Sequence, residues 1–277
     1  MSQEKFSHAV RSFMFLFAAL GIVFMFGFFT QQSWATMSIP WELDRLASIF
    51  LASICAAVAF PVLWIARTRE YAAISGGAMN LAITFGGFAA FAFLVYAANP
   101  RQPVLLFGMF AVVAFMVTLG LLWFGLRHRF RNVQPTPRVV RYAFAFFACV
   151  LVLTGGALVL KQPNIFPWPL TPQQSVLYGW IFLGASTYFL YGFARPVWGN
   201  AQGQLIGFLA YDLILIFPFF ALLMSSEPFL LSNLIFYIAV LVFSGALAAY
   251  YLFFKRETRI DFRAANDASR ARFDAEN

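Results

Sequence analysis

Long apolar runs alternate with short polar breaks along this chain, and within the runs hydrophobic residues are continuous rather than spaced at every second position. Eight runs stand out, at 12–30, 46–65, 72–97, 104–125, 142–160, 176–193, 203–224 and 231–254. Each reaches the roughly 18 to 20 residues that carry a helix across about 30 Å of hydrocarbon. The pattern predicts an all-α membrane protein of about eight transmembrane helices joined by short loops. The segment 255–277 mixes charges of both signs and reads as a charged tail that is a short amphipathic helix or disordered.

Composition sharpens this. The chain is 62% hydrophobic and 11% charged, with mean hydropathy +0.77, whereas soluble domains carry roughly 25% charged residues. A water-soluble core is excluded. Basic residues set an expected orientation, because Lys and Arg concentrate in cytoplasmic loops. With both termini in the cytoplasm, all 19 Lys and Arg residues except Arg45, Arg101 and Lys161 fall on the inner side. The expected location is the inner (plasma) membrane, multi-pass. The net charge of +8 then calls for anionic lipid headgroups at the cytoplasmic face as a partner, and for no nucleic acid. The arginine-rich connector 126–141 reads the same way, with a docking surface for an acidic partner as the alternative. A competing reading makes the basic start, the apolar run Phe13–Phe29 and Ser33-Trp34-Ala35 a cleavable signal. That run exceeds the roughly 7 to 15 residues of a usual signal core, and the duplication described next uses it as a first helix.

Pro40-Trp41-x-Leu43 falls on Pro167-Trp168-x-Leu170 at an offset of 127, and Ser48 then falls on Ser175. Further matches keep the same order: Ala66-Arg67 with Ala194-Arg195, Pro103–Leu106 with Pro228–Leu231, and Arg11 with Arg141. These predict two four-helix repeats, 1–128 and 129–254, followed by the tail 255–277. Four spans per repeat is an even number, so the repeats are parallel and related by a pseudo-twofold along the membrane normal. Both Pro-Trp turns then lie on the outer face. There Pro40 and Pro167 fix the backbone and Trp41 and Trp168 anchor the helices at the headgroup boundary; a lid over a central cavity is the other reading.

The run Pro167-Trp-Pro-Leu-Thr-Pro172, followed by Gly179-Trp180, resembles a motif of uncharacterised bacterial multi-spanning integral membrane proteins. In the first repeat Asp44-Arg45 stands in place of Thr171-Pro172. The resemblance implies a bacterial membrane protein and no particular activity.

Candidate chemistry is sparse. Ten of the eleven acidic residues lie in loops or the tail, Glu227 among them; the remaining one is Asp212, inside the seventh run. A charge at mid-membrane costs about 2.5 to 3.5 kcal/mol on insertion scales, so Asp212 faces a bundle interior or a wet cavity, or is protonated. Aligning Met79-Asn80-Leu81 with Tyr211-Asp212-Leu213 at an offset of 132 makes Asn80 the partner of Asp212 across the pseudo-twofold. Asp212, Asn80 and Tyr211 form the candidate polar site, read either as a binding site or as a hydrogen-bonded clasp.

His8 and His128 fall in basic loops, and Cys55 and Cys149 read as core packing in separate spans. No metal, haem or other cofactor is expected. No nucleotide-binding loop, H-E-x-x-H or G-x-S-x-G is present, so ATP-driven transport by this chain and the usual hydrolase chemistries lack their motifs. The small residues of 75–80 and Gly86-Gly87 read as close helix packing. Small-solute or ion transport with Asp212 as the proton or cation site leads. The alternative is a non-catalytic membrane scaffold, alone, as a homo-oligomer or with a membrane-protein partner; an intramembrane lipid enzyme comes third.

Overall fold

A computed structural model describes the backbone of residues 3–225 and 229–260 and the side chains of 8–225 and 229–260. The tail beyond Ile260, and Glu227 and Pro228 of the expected repeat match, lie outside the described residues. Among those described there are α1 (Gln3–Phe29), a single turn α2 (Ser33–Thr36), α3 (Arg45–Thr68), α4 (Ile74–Ala98), α5 (Gln102–Leu126), α6 (Arg138–Val159), α7 (Pro172–Ala194), α8 (Trp198–Leu223) and α9 (Leu231–Ala249). All but α2 are long and apolar enough to cross a membrane, α4 with the 3₁₀ turn Tyr71–Ala73 before it and α9 with the π turn Tyr250–Phe254 after it. The protein is an all-α, eight-span membrane protein.

The helices begin where local chemistry dictates. Asp44 caps α3 by accepting from the Ala47 N–H at 2.7 Å. Thr171 caps α7 in a reciprocal box with Gln174, and Pro172 occupies the first turn, where its missing N–H costs nothing. Arg69 ends α3 in the left-handed region at φ 60°. On the same face, the Nε of Arg11 donates to the Ala66 carbonyl at 3.1 Å and that of Arg141 to the Phe193 carbonyl at 3.2 Å. Each arginine thereby satisfies a carbonyl near a helix end that no backbone N–H reaches.

Packing arranges the spans in two rows. One runs α1, α3, α8, α9 and the other α5, α4, α7, α6; across the rows, backbones approach closely only sparsely, at α7–α8 and α3–α4. Each row therefore draws two helices from each half of the chain. Within rows, a glycine sits at every close contact. Gly21 lies on Ala59, Gly108 on Ala92, Gly155 on Gly179, Gly207 on the Ala57 carbonyl, Gly184 on Asn80 and Gly245 on Asp212. With no hydrophobic drive between helices in lipid, such close van der Waals fit is what binds them.

Between the rows the spacing is set by rings. Phe50 of α3 stands 4.4 Å from the ring of Tyr178 and 5.7 Å from that of Phe182, both on α7. Trp168 is 3% exposed, with its ring 5.8 Å from Phe219; Trp41 is half-buried, 5.5 Å from Phe91. The Trp168 ring is thus an internal plug at one end of the bundle rather than a headgroup anchor. Cys149 is exposed on α6 while Cys55 is half-buried, so the reading of both as core packing fails for Cys149, whose helix faces outward there.

A Cβ on Gly184 would fall 2.5 Å from the Asn80 carbonyl oxygen and 2.6 Å from its side-chain oxygen. Gly184→Ala must therefore push α7 off α4, and such overpacking costs about 1 to 3 kcal/mol. The expected outcome is a lowered thermal midpoint in mild detergent, with Gly156→Ala, whose Cβ would meet open space, unchanged in the same scan.

Candidate functional site

Helix α8 carries the central residue. Asp212 lies 14 residues after Trp198, about 21 Å along a helix at 1.5 Å per residue, which is the middle of the span. It is 5% exposed. Its Oδ1 accepts from the Ser244 hydroxyl of α9 at 3.1 Å, and Gly245 beside that serine leaves the space the carboxylate fills. Its Oδ2 is buried and has no hydrogen-bond partner. The Ser244 hydroxyl also lies 2.8 Å from the Val240 carbonyl of its own helix. One hydroxyl proton cannot serve both acceptors fully, so the Asp212 link between α8 and α9 is weak.

Asp212 opens on a cavity of about 470 Å³ between the rows, at their α6–α9 end. Tyr211 and Asn80 line the same cavity, so all three residues of the candidate polar site share one space. They do not form one hydrogen-bonded group. Tyr211 bonds through its hydroxyl to Tyr237 of α9. Asn80 accepts from Thr84 at 3.4 Å on its own helix and packs on Gly184.

Asn80 and Asp212 are not bonded to each other. At an offset of 127, the approach of Gly184 to Asn80 corresponds to that of Gly207 to Ala57, and Gly76 against Tyr191 corresponds to Gly203 against Trp64. That offset matches Asn80 with Gly207 and Asp212 with Phe85. The hydrogen bonds of Asp212 and Tyr211 are carried by α8 and α9.

Sequence reasoning missed Gln204, which is fully buried on α8 and lines the cavity. Its Nε2 donates to the Tyr188 carbonyl at 2.6 Å, while Oε1 has no hydrogen-bond partner and sits on Gly192. The continuous apolar run starts at 203 in the sequence, which puts Gln204 at a membrane edge; the helix begins at Trp198, which moves it inside. Ser244 and Tyr237 were missed because hydroxyls in an apolar helix carry no distinctive pattern.

At the bundle's basic face the connector is bonded to the protein itself. Glu70, 4% exposed, accepts from the Arg131 N–H at 2.6 Å and the Asn132 N–H at 3.3 Å. Arg131 also donates to the Thr68 carbonyl at 2.9 Å. Beyond it the connector pairs with the start of α8: Trp198 N–H to the Gln134 carbonyl at 2.7 Å and Gly199 N–H to the Asn132 carbonyl at 3.0 Å. Glu70 is thus the polar floor on which the connector docks.

At the opposite face, Gln174 Nε2 donates to the Glu42 carbonyl at 3.2 Å, tying the two Pro-Trp turns together. Among the described residues no three His, Cys, Asp or Glu side chains come together. No family model, curated protein or solved structure matches this chain.

Burial pushes the Glu70 carboxyl above its ordinary value, while the two backbone donors and the Arg131 charge pull it back. A carboxyl whose folded pKa is raised favours the fold most when protonated in both states. That contribution is lost as pH rises from the ordinary glutamate value through the raised one. Relative to Glu70→Gln, which does not titrate, the wild type should therefore lose thermal stability across that window. Scans of both proteins through the mildly acidic range check this. Glu70→Ala, which removes the charged acceptor of the Arg131 and Asn132 N–H groups at a cost of about 1 to 3 kcal/mol, should also make the arginines of the connector more rapidly cleaved by trypsin.

Proposed function

We propose that the protein is a transport or permeation protein in which Asp212 binds a proton or cation within the cavity between the rows. The observation that carries this reading is the carboxyl of Asp212, a residue on the wall of that cavity at mid-membrane, one oxygen of which is buried without a hydrogen-bond partner. A carboxylate retained in hydrocarbon is a functional site by default. Two parallel repeats, 1–128 and 129–254, supply the framework in this reading. It is supported by the exchange of glycine contacts at an offset of 127 and by Asp44 and Thr171 capping equivalent helices. The helix pairs exchange in the same way: α1–α3 with α6–α7, α4–α5 with α8–α9, and α3–α8 with α7–α4. The proposed setting is a bacterial inner membrane with both termini and the basic face inside, against anionic headgroups.

A scaffold role is the second reading. The Ser244–Asp212 and Tyr211–Tyr237 bonds, which join α8 to α9, favour it. The two readings predict opposite behaviour of one variant. Replacing Asp212 with leucine removes a buried unpartnered oxygen, and Ser244 keeps the Val240 carbonyl as acceptor. The expected outcome is thermal stability equal to or above wild type, together with at least a tenfold loss of proton uptake by proteoliposomes under a potassium–valinomycin potential. A marked fall in stability, with proton uptake no faster in wild type than in empty liposomes, would establish the clasp and the scaffold.

A further inference from the structure

We infer that the cavity beside Asp212 takes a lipophilic organic cation, which enters sideways from the bilayer between α6 and α9. This rests on the transport reading above and names its substrate class. The walls carry the argument. Rings of Phe147, Phe182, Phe208 and Tyr237 line the space, while among its lining residues there is one carboxylate, Asp212, and no Lys, Arg or His. The Asp212 carboxylate, with one oxygen lacking a hydrogen-bond partner, is the charge that such a ligand would complement.

Competing ligand chemistries fit less well. A small metal cation needs several oxygen ligands to replace its water; the lining holds neutral oxygens on Asn80, Thr84, Gln204 and Ser244, but Asp212 is the one charged ligand among the lining residues. An anion would meet the carboxylate with no basic group to offset it. A neutral apolar molecule would leave Oδ2 unmatched, a buried polar atom at full desolvation cost. A bulky cation with its charge spread over an apolar body satisfies all three constraints, because it sheds water readily, is attracted to aromatic faces and neutralises the acid. The space of about 470 Å³ is in the range that holds such molecules.

The mouth is placed by Phe236. It lines the cavity yet is 56% exposed on the outer surface of α9, about 8 Å along the helix from Leu231. The inferred mouth therefore lies at hydrocarbon depth, below the loop-side part of the lining at Asn164, Ile165 and Asn233. Val150 lines the same space from α6 across this gap. A lipophilic ligand concentrated in the bilayer has a direct path, with no need to cross either loop face.

The test uses two ions of one shape and opposite charge, tetraphenylphosphonium and tetraphenylborate. Each is titrated into the full chain in neutral phosphatidylcholine nanodiscs, with empty nanodiscs as the reference. Expected is saturable binding of the phosphonium, at least tenfold weaker binding of the borate, and at least a tenfold loss of phosphonium affinity in Asp212→Asn. Val150→Trp, which narrows the mouth and leaves the carboxylate intact, should lose phosphonium binding to a similar degree; this arm decides the matter if Asp212→Asn does not fold. Equal binding of both ions, no saturable phosphonium binding, or affinity unchanged in the folded variants would each overturn the inference. Absent phosphonium binding with proton uptake intact would sink the ligand class alone. Phosphonium binding without uptake would sink the transport reading and leave a cation pocket.

Discussion

Close approach of helix backbones through glycine is the constraint on which the rest depends. In lipid the helices gain nothing from excluding apolar surface, because the tails are as apolar as leucine. What remains is contact, and contact at backbone distance requires a missing side chain. The rows exist because Gly207 lies on the Ala57 carbonyl, Gly155 on Gly179 and Gly184 on Asn80. Where glycine gives way to rings, as at Phe50 against Tyr178, the rows stand further apart. A space between rows follows from that change of spacer, and at the α6–α9 end it is not filled.

Asp212 takes its character from this arrangement. Gly245 admits the carboxylate against α9 and Ser244 satisfies one oxygen, while the other faces no donor. Neither Asn80 nor Tyr211 reaches it, since each is engaged elsewhere, with Thr84 and Tyr237. A mid-membrane acid held by a single shared hydroxyl is a weak fastening between helices.

The spans were legible in the sequence because hydrocarbon thickness imposes a length, and Asp212 was legible because a charge in an apolar run has few reasons to be there. That Asn80 and Asp212 share a cavity without bonding to each other was not legible, because a shift of about one helical turn leaves an apolar alignment equally plausible. Burial of Trp168 was not legible, since a tryptophan beside prolines looks the same at a headgroup as inside a bundle. The docking of the connector was hidden for a different reason. Its bonds to Glu70 and to the start of α8 run through backbone N–H and carbonyl groups, which every residue but proline carries alike.

The interleaving of the halves determines what can move as a body. Neither half can rotate against the other without tearing the glycine seams between α3 and α8 and between α4 and α7. The mechanically sensible rigid units are the rows, each a composite of both halves. They are stitched across at opposite ends: by the connector on Glu70 and α8 at one face, and by Gln174 with Glu42 and the Leu230 N–H with the Pro167 carbonyl at the other. In the proposed transport reading, a clamshell with a hinge at each rim opens at one rim at a time, and the stitch that yields first would set which side of the membrane sees Asp212.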